Sequence, residues 1–348
     1  EHRFFDDSTP QTGGDYQTLT ILQSAWDSHR VVELLHPLLS AKWVNTGHSK
    51  GGMTAMYHRR FFPCDVEATV PYVAPLSLGR GDVRYDAWLG QVGGPAYATC
   101  RQACDTMDLE VISRAAEFTP QMTGTYARAG SALNALWLTT GRWSWGMFQY
   151  GEQDSECPAY ENLVTHPTFS DYIGANAADW GTGLSDQSLA QQHQQDPSFF
   201  AYGFQTQNEL GSPGYRRAHL AAFGTPQLPD GTALAYLPPG LPLPRFESRA
   251  MPDVQAWLST YGERFLLIYG EFDPWTGGMA SVTGATDSVR YVVPGGDHGV
   301  GLSDLSPGER EAALQRLEGW LGIPRLGGLP KRPDEAPAFR DVMRRVPL

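Results

Sequence analysis

The chain has 348 residues, 41% of them hydrophobic and 18% charged, with 38 Gly and 26 Pro dispersed along it. That balance is globular and excludes a fibre or a disordered chain; this length can bury a large core, in one enlarged domain or in a core domain with an insertion. The formal net charge of −12, with no block of five Lys/Arg, argues against nucleic acid as a partner. Ordinary solubility accounts for the acidity, with steering of a cationic substrate as the functional alternative.

No apolar run approaches the roughly 18 to 20 residues that span a bilayer, so no membrane partner is expected. The chain starts at Glu1 without Met or a basic-then-apolar leader, and reads as processed, truncated or renumbered. From Thr20 to His36 the pattern predicts an amphipathic helix, with a Thr20/Gln23 capping box and Ile21, Ala25, Val32 and Leu35 on one face. Pro37 ends it. Ala41 to Thr46 follows as a strand, Gly47 to Gly51 as a tight turn and Gly52 to Arg60 as a second helix. Glu67 to Pro75 is the next strand.

Beyond it the period becomes helical and aromatic over residues 85–244, a stretch closed by the Pro-rich joint Leu237-Pro238-Pro239-Gly240-Leu241-Pro242-Leu243-Pro244. Helix, strand and strand then return at Pro252 to Tyr261, Arg264 to Tyr269 and Ser288 to Val293. A last helix opens at Ser306 with Pro307 in its first turn and Glu309 completing a capping box; Leu314, Leu317 and Leu321 are its expected buried face.

Gly47-His48-Ser49-Lys50-Gly51 is a G-x-S-x-G sequence between a predicted strand and a predicted helix, the context that makes it a nucleophile elbow. Ser49 would project its hydroxyl from the sheet while the Lys50 N–H faces a developing oxyanion. A serine hydroxyl needs a base, and His298, in a glycine turn after a predicted strand, is the only histidine beyond the insertion. Asp273, following the RFLLIY strand, is the best carboxylate to orient that imidazole, with Glu271 and Asp297 as rivals. The order Ser, Asp, His, with 25 residues between Asp273 and His298, matches the α/β-hydrolase arrangement.

Ser49 and Asp273 lie 224 residues apart, more than a strand, a helix and two loops require. The expectation is a discontinuous α/β-hydrolase core at 1–84 and 245–325, a helical cap insertion at 85–244 over the carboxyl ends of the strands, and an extended tail at 326–348. With only about four strands legible, further amino-terminal strands of the sheet are expected outside this chain. A second oxyanion donor is not located.

Longer blocks carry a resemblance: Glu1-His2-Arg3-Phe4-Phe5, the elbow with Gly52-Met53-Thr54, Tyr57-His58-Arg59-Arg60-Phe61-Phe62-Pro63, Tyr72-Val73-Ala74-Pro75, Trp145 to Tyr150, Asp273-Pro274-Trp275 and Gly295 to Gly299. In that order they resemble the bacterial secreted tripeptidyl aminopeptidases, serine peptidases related to prolyl carboxypeptidase and the lysosomal dipeptidyl peptidases. The resemblance implies an exported enzyme that removes short peptides, tripeptides by expectation, from free amino termini through an acyl-enzyme, with Ser49, Asp273 and His298 as triad. It implies that Glu209, in Gln205 to Gly211, pairs with a substrate ammonium unless it is structural, and Trp145 and Trp275 are further candidate substrate contacts. It also implies recurrent cysteines at Cys100 and Cys157, leaving Cys64 and Cys104 as a second pair. His48 departs from the pattern, standing where many relatives carry a smaller residue.

Trp137, Trp143 and Trp145 either line an apolar pocket or pack in a core. Cys100 and Cys104 lack the second ligand pair of a zinc site, and no metal or organic cofactor is indicated. Two other readings stay open: a carboxylic ester hydrolase on the same triad, and a surface-binding relative that has lost catalysis.

Overall fold

Thr20 stands in extended backbone and its hydroxyl accepts the Gln23 N–H, which starts α1 (Ile21–Leu35) where the capping pattern placed it. The computed structural model describes residues 2–9, 15–39, 41–214, 218–224, 237 and 240–323. Glu1, the Pro238-Pro239 centre of the Pro-rich joint and the tail expected at 326–348 lie outside the described residues. Only the first turns of α1 are buried, through Ile21, Ser24 and Ala25; Leu35, expected on the inner face, is exposed.

Strand β1 (Val44–His48) starts later than the sequence suggested and carries Gly47 and His48 inside it, so the turn shrinks to Ser49 alone before α2 (Lys50–Phe61). The reason is the parallel ladder with β2 (Ala68–Tyr72), which runs from Val44 opposite Ala68 to His48 opposite Tyr72. Next come α3 (Val83–Leu89), α4 (Ala98–Ser113), α5 (Ala115–Phe118), α6 (Ala132–Leu138), α7 (Arg142–Gln149), α8 (Gln153–Thr165), α9 (Phe169–Thr182), α10 (Asp186–Gln195) and α11 (Pro197–Gln205). The βα order resumes with α12 (Ala250–Tyr261), β3 (Leu266–Gly270), β4 (Val289–Val293) and α13 (Pro307–Leu321).

The four strands form one parallel sheet in the order β1-β2-β3-β4. β3 is buried throughout and β2 over all but its last residue, as strands covered on both faces should be. Their apolar side chains join Val293, Val300, Leu305, Ala313 and Trp320 in one core. On α13 the reciprocal Ser306/Glu309 capping box forms as expected, but Ala313 and Trp320 are the fully buried residues, while Leu314, Leu317 and Leu321 are only half-buried. The inner surface is set by which residues meet the sheet, and the leucines fall on its margins.

Two compact units emerge: a helical one, Glu1–Leu19, Gly79–Phe148 and Glu152–Glu247, and a sheet-bearing one, Thr20–Leu78, Gln149–Gly151 and Ser248–Leu348. Residues up to Leu19, read from sequence as part of the core, group with the helical unit because Phe4 and Leu19 pack on Ala201, Phe204 and Leu237. The helical unit has its own core around Phe118, Leu136, Trp137, Ile173, Leu189 and Phe200. Trp145 is buried beside Tyr85, and the half-buried Trp143 meets Trp180 edge-on at 4.8 Å. Cys100 of α4 and Cys157 of α8 form a disulfide. The second pair does not form: Cys64 is an exposed thiol just past α2 and Cys104 a buried thiol one turn beyond Cys100 on α4.

Parallel strands, a strand–serine–helix turn and the chain order Ser49, Asp273, His298 give the sheet-bearing unit the α/β-hydrolase architecture, with a large, mainly helical insertion between β2 and β3.

Candidate active site

The candidate site is built on the carboxyl ends of β1, β3 and β4. Ser49 leaves β1 with φ 54° and ψ −122°, a backbone state rare for a non-glycine residue, and α2 begins at the next residue. The Ser49 N–H donates to the Tyr72 carbonyl at 2.9 Å, and the Met53 N–H donates to the Ser49 carbonyl at 3.0 Å. This sharp reversal requires Gly47, where a side chain would lie 2.2 Å from the Gly51 backbone. It also requires Gly52, whose Cβ would stand 2.6 Å from Ala74 Cβ, whereas Gly51 has open space around it.

His298 follows β4 in a turn held by its own backbone N–H, which donates to the Gln149 carbonyl at 3.0 Å. Its Nε2 lies 2.9 Å from Ser49 Oγ and its Nδ1 2.6 Å from Asp273 Oδ2. A carboxylate accepts, so Nδ1 carries the proton and Nε2 is the acceptor for the serine hydroxyl. Asp273 is fully buried after β3, and its other oxygen accepts the Trp275 N–H at 3.0 Å. Burial pushes the Asp273 carboxyl up from its ordinary range, opposed by the His298 charge and the hydrogen bonds it accepts.

The rival carboxylates are engaged elsewhere. Glu271 accepts the Gly295 N–H at 2.8 Å and Asp297 the Gly299 N–H at 2.7 Å. Both serve to shape the histidine turn. Gly151 has a positive φ, and a side chain there would meet Asp297 Oδ2 at 2.4 Å.

Lys50 is the first residue of α2, so its N–H belongs to the first turn of amides that a helix's own ladder leaves over. Its ammonium is buried and shifted well below the usual lysine range by that burial. The His48 ring meets His298 edge-to-face at 5.5 Å, and the half-buried Trp275 ring lies 6.2 Å from it. Glu209 is half-buried in the π-helical turn Thr206–Leu210 of the helical unit, and Trp145 is interior to that unit. Gln149 and Tyr72, whose carbonyls hold the histidine and serine turns, were legible only as members of the quoted blocks. No periodicity singles out a backbone acceptor.

This arrangement can move a proton from Ser49 Oγ to a buried, carboxylate-backed imidazole, the chemistry of acyl transfer. Residues 1–339 match the PS-10 peptidase S37 family. A prolyl tri/tetrapeptidyl aminopeptidase of Streptomyces mobaraensis is 32% identical over 333 residues, covering 93% of this chain and 67% of that protein. Among solved structures, VinJ aligns at a TM-score of 0.36 and 12% identity over 92% of this chain and 79% of its own. The peroxisomal alpha-beta-hydrolase Lpx1 of Saccharomyces cerevisiae aligns at 0.32 and 12% over 99% and 72%; likenesses this distant carry no weight for function. Elbow, blocks and whole-length match converge: the chain belongs to the PS-10 peptidase S37 family and is a serine peptidase.

Proposed function

We propose that the protein is an exopeptidase that releases short peptides, tripeptides foremost, from free amino termini, with Ser49, His298 and Asp273 as its triad. The observation that carries this reading is the unbroken hydrogen-bond chain Ser49 Oγ, His298 Nε2, His298 Nδ1, Asp273 Oδ2, with links of 2.9 and 2.6 Å. The fragment length is supported by the activity named for the Streptomyces relative.

In this mechanism Ser49 Oγ bonds to the scissile carbonyl carbon while His298 Nε2 takes its proton. The carbonyl oxygen becomes an oxyanion facing the Lys50 N–H. His298 then gives the proton to the leaving amine as the C–N bond breaks, leaving an acyl-enzyme that water hydrolyses by the same proton route in reverse. Asp273 holds the imidazole tautomer and stabilises the imidazolium.

Export is part of the proposal: the Cys100–Cys157 disulfide suits an oxidising compartment. Among the described residues no helix is long and apolar enough to cross a membrane.

The test is mass spectrometry of a peptide mixture after incubation, with free and acetylated amino termini and a Ser49→Ala control. Short amino-terminal fragments should appear from free peptides only and be lost in the control, which should fall by about 10⁴-fold or more in kcat. Cleavage of acyl esters with peptides left intact would move the assignment to an ester hydrolase.

A further inference from the structure

One buried segment touches both halves of the candidate site. Residue 73 follows Tyr72, the register partner of His48, so Val73 stands beside Ser49 where both chains leave the sheet. Both have positive φ, 54° at Ser49 and 40° at Val73, and a branched valine in that region is a rarity that its surroundings must enforce. The Val73 N–H donates to the Ile268 carbonyl at 2.7 Å, and the residue has no exposed surface.

The chain then runs under the serine turn, placing Ala74 Cβ where a side chain on Gly52 would be. On its other side it grips the turn that starts at Asp273. The Leu76 N–H donates to the Gly278 carbonyl at 2.7 Å, and Pro75 bridges Met279. The Tyr269 hydroxyl, fully buried, donates to the Ala74 carbonyl at 2.8 Å and accepts the Ala280 N–H at 3.0 Å. Gly278 and Met279 in turn close the 3-10 segment Pro274–Gly278 capped by Asp273, and Ala280 follows directly.

We propose that residues 72–76 form a positioning strap that sets the reach from Ser49 Oγ to His298, with the Tyr269 hydroxyl as its pin. Tyr269 is thereby a positioning residue and touches no reacting atom. The serine and acid turns come from chain segments more than 200 residues apart, and this strap contacts both. Without the hydroxyl, the Ala74 carbonyl and Ala280 N–H lose their shared partner in a buried interior, so one side of the strap must shift to recover a bond. A misplacement of about 1 Å at a nucleophile can slow acyl transfer by about a hundredfold.

The inference rests on Ser49 being the nucleophile, and the test separates the two. Wild type, Tyr269→Phe and Ala74→Gly are compared in kcat and KM on a free-amine peptide substrate, and in the rate of Ser49 labelling by a diphenyl phosphonate. All are measured well below each protein's unfolding temperature. Tyr269→Phe should lower kcat by about tenfold to a hundredfold with KM nearly unchanged, and the labelling rate by the same factor. Ala74→Gly, which removes one methyl and leaves the hydrogen bonds in place, should do the same by a few-fold. Variants that melt earlier yet keep both rates within about twofold of wild type overturn the strap, leaving Tyr269 a purely structural residue. A wild type that the phosphonate does not label at Ser49 overturns the nucleophile and the strap together.

Discussion

Asp273 has no exposed surface, and its carboxylate meets two donors, His298 Nδ1–H at 2.6 Å and the Trp275 N–H at 3.0 Å. Its titration is raised by burial, so the charge that orients the imidazole is held against its own desolvation. A carboxyl whose folded pKa exceeds its unfolded value makes no difference to stability below both, and withdraws stability as pH rises from the unfolded value to the folded one, the loss being complete above it. Asp273→Asn should therefore slow turnover by about 10⁴-fold by favouring the wrong imidazole tautomer. It should also unfold at higher denaturant concentration than wild type at pH 7, with the gap closing as pH falls toward about 4. Identical denaturation midpoints across that range would show that the buried charge costs the fold nothing. The three residues were legible as types and order, but the choice of Asp273 over Glu271 and Asp297 became geometric only when both rivals were seen bonding to backbone amides of the histidine turn.

The strand–serine–helix unit concentrates its steric demand on two glycines, one inside the sequence motif and one just outside it. Gly47→Ala would drive a methyl to 2.2 Å from the Gly51 carbonyl group, and a loss of about 3 kcal/mol or more, or failure to fold, is expected in a denaturation series. Gly51→Ala meets no atom within 4 Å and sits in the first turn of α2. Stability should hold or rise by up to about 1 kcal/mol, because alanine orders a helix at lower entropic cost than glycine. A large loss at Gly51 would contradict the open space around it. G-x-S-x-G gives its two glycines equal standing, yet the second close approach falls on Gly52. That follows from the depth at which Ala74 passes under α2, a long-range fact that no five-residue window contains. The same limit explains α1, whose apolar spacing predicted a long inner face although only Ile21, Ser24 and Ala25 are buried.

A net charge of −12 surrounds the molecule with a field that draws cations, and a peptide with a free amino terminus and an amidated carboxyl terminus carries a net positive charge. The expected consequence is that kcat/KM on such a peptide falls by about twofold or more as ionic strength rises from about 10 to 150 mM, shrinking the Debye length from about 30 Å to about 8 Å. An uncharged ester turned over by the same serine should show no such trend, and parallel behaviour of the two would remove the steering. At this scale the change of hydropathy period near residue 85 and its return after residue 244 is what the expected division of the chain rests on. The side taken by residues up to Leu19 was not, because it depends on Phe4 and Leu19 meeting Ala201, Phe204 and Leu237, far along the chain. The primary structure was enough to propose Ser49 and His298 and the order Ser, Asp, His, since a glycine-flanked serine between strand and helix is a local pattern with a local cause. Folding was needed to bring Asp273 to the His298 ring, to pair Cys100 with Cys157 while leaving Cys64 and Cys104 as thiols, and to bring Val73 and Tyr269 against the turns at Ser49 and Asp273. Those outcomes rest on contacts between residues tens to hundreds of positions apart, whose distances exist only once the sheet has closed.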